Sequence, residues 1–74
     1  MTKLPVVSGK DLVFALGRLG YEFDHQKGSH IVLRYKERPY NRLTIPNHRE
    51  ISKGTLRSIL KRAGILVEEL QKVL

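Results

Sequence analysis

Between Tyr21 and Ile45 the apolar side chains recur at every second position, flanked on both sides by apolar residues at helical spacing. A strand shows alternate residues to opposite faces, whereas a helix gathers every third or fourth residue into one stripe. The double change of period therefore predicts an α+β fold. Three strands are expected over Tyr21–Gln26, Ser29–Tyr35 and Tyr40–Ile45. Their predicted inward set is Phe23, Ile31, Leu33, Leu43 and Ile45. The outward set is Glu22, Asp24, His30, Val32, Arg34, Arg42 and Thr44. The same alternation puts His25 with Tyr21 and Phe23, on the face opposite His30.

Before the strands, Ser8 and Asp11 form an S-x-x-D start signal for a first helix, with Leu12, Val13, Leu16 and Leu19 as its stripe and Gly20 as its stop. After them, Pro46–Ile51 reads as a loop. A second helix is expected from near Ser52 to Ala63, closed by Gly64 and facing inward through Leu56, Ile59, Leu60 and Ala63. A last short helix, Val67–Leu74, offers Val67, Leu70, Val73 and Leu74. The order α-β-β-β-α-α predicts helices packed on one face of a three-stranded antiparallel sheet. Residues 1–74 are expected to form a single domain, because a chain this short has room for one core.

There are no cysteines, so neither disulfides nor thiolate zinc ligation can support that core. No apolar run is long enough to span a bilayer, and the first residues lack a secretory-type apolar stretch. A soluble, cytoplasmic protein without membrane association is expected. Charge narrows the partner further. From Lys27 to Arg62 ten cations face only Glu37 and Glu50, a segment charge of +8 against +7 for the whole chain. Such a segment suits a polyanion, since neutralised phosphates release counterions and drive association. A cationic surface kept for solubility is the plainer alternative.

Within this segment Gly28-Ser29-His30 opens a strand. Histidine is the side chain that can act as acid or base near neutral pH with little tuning. A base beside an RNA backbone can take the proton of a 2′-hydroxyl, which then attacks the adjacent phosphate; Lys27 or Arg34 could stabilise the anionic phosphorane. Gly28 would allow close approach of the substrate, and Ser29 could donate to phosphate. Glu22 or Asp24 could orient the imidazole. A half-exposed structural histidine is the alternative for His30, and solvating charges the alternative for the carboxylates.

Lys53, Arg57 and Lys61 repeat every four residues along the second helix, a spacing that is mildly repulsive unless anions sit between them. The Ser52-Lys53-Gly54-Thr55 start adds free amides. His48, just before this helix, is a candidate substrate contact or a loop-ordering residue. His25 and His48 do not complete a metal set with His30, so no metal and no cofactor is expected. A P-loop and a nucleophile elbow are also missing.

Three separated segments, Gly28-Ser29-His30, Ile45-Pro46-Asn47-His48 and Lys53–Lys61 followed by Ala63-Gly64-Ile65, resemble those of the HicA-type toxins. The resemblance runs from Lys10 into the final helix. It implies a double-stranded-RNA-binding-like fold used as an mRNA interferase, a catalytic role for His30, and a HicB-type antitoxin that covers the active face. Relatives often carry a second histidine or an aromatic directly after the motif, where this chain has Ile31. On this reading the protein is an endoribonuclease toxin whose His30 is the general base, assisted by Lys27, Gly28, Ser29, Arg34, Arg42, His48, Lys53, Arg57 and Lys61 as RNA contacts. The rival expectation is a non-catalytic double-stranded-RNA-binding module, which would read shape through phosphates and 2′-hydroxyls.

Overall fold

A computed structural model describes residues 3–74. The chain runs α1 (Gly9–Arg18), β1 (Tyr21–Lys27), β2 (His30–Tyr35), β3 (Arg42–Pro46), α2 (Lys53–Ala63) and α3 (Val67–Val73). The strands make one antiparallel sheet in the order β1-β2-β3. The expected α+β arrangement is thus observed.

Local chemistry explains the helix bounds. Ser8 Oγ accepts from Asp11 N at 3.0 Å and Asp11 Oδ2 accepts from Ser8 N at 3.2 Å, the reciprocal cap that the S-x-x-D spacing predicts. Ser52 caps α2 by accepting from Thr55 N at 3.3 Å. Gly64, at φ 70°, closes α2 in the left-handed region. Glu69 Oε1 accepts from Leu66 N at 2.9 Å at the start of α3.

Leu12, Ala15 and Leu16 of α1, Leu56, Ile59 and Leu60 of α2 and Leu70 of α3 bury against Ile31, Leu33, Leu43 and Ile45. Val7, Tyr21 and Ile51 complete the buried cluster, and no polar or charged residue is buried among the described residues. The Tyr21 and Tyr35 rings meet edge-on at 5.0 Å between centroids. Burial, and then the neighbouring Tyr35, push the Tyr21 hydroxyl above its ordinary pKa.

Two expectations about β1 need correction. Phe23 does not enter the core; it is 63% exposed and lines a shallow groove with Val13, Phe14 and Gly17 of α1. It lies on the helical side of an edge strand, where α1 covers only part of the surface. His25 also departs from its expected face. The β1–β2 register pairs Phe23 with Leu33 but His25 with Val32, so a bulge at Asp24 inserts one residue. An extra residue inverts the alternation beyond it. His25 therefore joins Val32 and His30 on the outward face rather than Tyr21 and Phe23 on the inward one.

Candidate active site

His30 is the first residue of β2 and is exposed. It is placed there by a two-residue hairpin connection, Gly28-Ser29, between the paired residues Lys27 and His30. Gly28 takes φ 60° at the first turn position, which is the II′ pattern that glycine favours. Because residues paired directly across a ladder share a face, Lys27 stands opposite His30. On its other side His30 pairs with Pro46, the last residue of β3.

The ladder continues one step past the strands, where Asn47 N donates to Ser29 O at 2.7 Å. The loop leaving β3 is held from the opposite side as well: Gly9 N donates to His48 O at 2.8 Å and Ile51 N to Val7 O at 2.9 Å. Turn, loop and α1 start are thereby fixed by main-chain bonds. The result is an open cleft of about 500 Å³ lined by His30, Thr44, Pro46, His48, Glu50, Ser52 and Thr55. His30 and His48, far apart in the sequence, share it. So does the capped start of α2, although the outward face of β2 was expected to stand clear of the helices.

Gly9 is required for this approach. A Cβ there would fall on the Pro46 carbonyl oxygen and within 2.9 Å of Asn47 Cα, both of them backbone atoms.

The other candidate residues divide into groups. Arg34 and Arg42 pair across β2 and β3 on the outward face, continuing the row that begins at His30. The Arg34 guanidinium lies 5.5 Å from the centre of the Tyr40 ring. Arg42 Nε donates to Asp24 Oδ2 at 3.4 Å, and His25 Nδ1 lies 3.0 Å from the same oxygen. Asp24 thus orients His25 and Arg42, not His30, which corrects the role expected of it. Glu22 pairs with Arg34 at the far end of β1 and does not reach His30's end of the sheet. The hydrogen bond from His25 foremost, helped by Arg42 and opposed by some loss of hydration, holds the Asp24 carboxyl below its ordinary pKa.

Lys53, Arg57 and Lys61 lie elsewhere. They border a groove formed with Lys3, Leu4, Ile65, Leu66 and Val67. The face of α2 that continues from the His30 cleft carries Thr55, Ser58 and Arg62, which line a second groove with Leu43 and Thr44. Thr44 and Thr55 border both spaces, so the cleft and this groove adjoin. Arg62 and Glu50 are the residues that the sequence reading passed over. The polar series Thr55, Ser58, Arg62 at steps of three and four beside the apolar stripe is the signal that could have found Arg62.

Among the described residues no group of three or more His, Cys, Asp or Glu side chains converges as a metal site. No helix among them is long and apolar enough to cross a membrane. A family model described as HicA toxin of bacterial toxin-antitoxin matches residues 9–65. That span holds both histidines of the cleft, the whole sheet and α2. No curated protein matches the chain.

Proposed function

The chain belongs to the HicA toxin family of bacterial toxin–antitoxin systems, and on that premise we propose that it is a metal-independent endoribonuclease that cleaves mRNA in the cytoplasm. Membership makes it a toxin component with an antitoxin partner. Residues 1–74 act as one unit on RNA. His30 is the general base: its imidazole takes the proton from a ribose 2′-hydroxyl, and the 2′-oxygen attacks the neighbouring phosphorus. The P–O5′ bond breaks and the departing 5′-oxygen takes up a proton, leaving a 2′,3′-cyclic phosphate and a 5′-hydroxyl. A positioned base of this kind contributes about 10²–10⁴-fold.

The observation that carries this reading is the position of His30, exposed at a cleft wall with Lys27 directly across the hairpin. The ammonium group supports the anionic phosphorane, and Gly28 and Ser29 leave the turn open to a sugar-phosphate backbone. Arg34 and Arg42 extend the cationic row along the sheet. Arg62 adds a phosphate contact in the adjoining groove. Lys53, Arg57 and Lys61 engage more distant phosphates, since their groove is separate from the cleft. A HicB-type antitoxin inhibits by covering the cleft and meeting these cations with carboxylates.

His30→Ala is expected to abolish cleavage of a defined RNA while leaving its binding within about twofold, because binding rests on phosphate neutralisation elsewhere. The check is end-mapping of the products, with and without EDTA. Equal cleavage by the variant, or activity lost to EDTA, overturns the proposal. RNA shifted in a gel yet intact after long incubation with wild type would favour a binding module instead.

A further inference from the structure

We infer that His48 is the general acid of this cleft, a role that rests on the ribonuclease reading of His30 and completes it. Transesterification needs two proton transfers. One removes the 2′-hydroxyl proton; the other supplies a proton to the departing 5′-oxygen as the P–O5′ bond breaks. Two imidazoles, one neutral and one protonated, can make both transfers in the same step.

The cleft holds two imidazoles from separate elements, His30 from the start of β2 and His48 from the loop after β3. Their backbones are tied through Asn47 N to Ser29 O and through the His30–Pro46 pair. Glu50 is the one carboxylate-bearing residue on the same lining. Gly9 N donates to the His48 carbonyl, which fixes the main chain and leaves the imidazole out of that bond. A phosphate bound in this cleft would meet His30 from the strand and His48 from the loop, one to accept a proton and one to donate it.

The test uses two RNA oligonucleotides that differ at one linkage: ordinary, or with sulfur replacing the bridging 5′-oxygen. A thiolate leaves without protonation, because thiols are far more acidic than alcohols. His48→Ala is expected to lose about 10²–10⁴-fold on the ordinary linkage and to return close to the wild-type rate on the sulfur one. His30→Ala stays impaired on both. His48→Gln, which keeps a polar side chain of similar length, repeats the pattern if the alanine variant is poorly folded. Equal losses on both linkages assign His48 a structural or binding role and overturn the inference. Wild-type protein that cleaves neither linkage overturns the ribonuclease reading first.

Discussion

At the scale of single residues, Asp24 restrains the cationic face. Its carboxylate holds Arg42 at 3.4 Å and His25 at 3.0 Å. Asp24→Asn keeps the shape, removes one negative charge and releases Arg42 toward RNA. Affinity for a short RNA is expected to rise, with the slope of log K against log salt steepening by about 0.7–0.9, as for one added phosphate contact. Fluorescence anisotropy across a salt series measures both. The same carboxyl makes a pH prediction. Its folded pKa is depressed, so its contribution to stability is present above the unfolded pKa of about 3.9 and fades as pH falls through the folded one. The stability gap between wild type and Asp24→Asn should narrow as pH falls below about 4. Urea melts across that range show it. Sequence reading placed Asp24 on the outward face but misplaced His25, and the reason is local. The bulge falls within Glu22-Phe23-Asp24-His25-Gln26, where the residues after Phe23 are all polar. With no apolar residue to reveal the phase, an inserted residue leaves no trace in the alternation.

At the scale of elements, the helix caps were legible, and the approach between elements was not. Ser8, Asp11, Ser52 and Gly64 act locally, and each announces itself by residue type and spacing. The fit of α1 against the loop after β3 depends instead on Gly9, which in the sequence is only one glycine beside a cap. Gly9→Ala places a methyl group against backbone that has no rotamer with which to yield. A loss of about 1–3 kcal/mol is expected, the usual cost of forced overpacking. Because the Gly9 N to His48 O bond lies at the point of collision, cleavage should fall by more than the folded fraction alone accounts for. Chemical denaturation paired with RNA cleavage by the folded fraction separates the two effects. Likewise the α2 stripe at 53, 57 and 61 was visible as a periodicity, yet which groove it borders depends on how α2 is rotated against β3.

At the scale of the whole molecule, one small apolar cluster carries the fold without disulfides. A core of this size rarely supplies more than about 3–5 kcal/mol. Leu33, 1% exposed at the centre of the middle strand, reaches both helical and sheet neighbours. Leu33→Ala is expected to cost about 2–5 kcal/mol, enough to leave much of the chain unfolded at 37 °C. A circular-dichroism melt without a cooperative transition near that temperature is the expected outcome; a melting point within a few degrees of wild type would contradict it. The inward pattern at Ile31, Leu33, Leu43 and Ile45 was readable because those positions bury on one side only. Phe23 misled because alternation reports the side of the sheet on which a residue lies, and not how far the overlying helix extends.

The lacing of the hairpin turn to the loop after β3 is made by amides and carbonyls alone. Such bonds do not depend on which side chains the two segments display. Ser29, Asn47 and Arg49 can therefore be exchanged, altering the surface beside the cleft, while the two imidazole-bearing stretches of backbone keep their separation. Recognition and catalysis are thus free to diverge at neighbouring positions of one short chain.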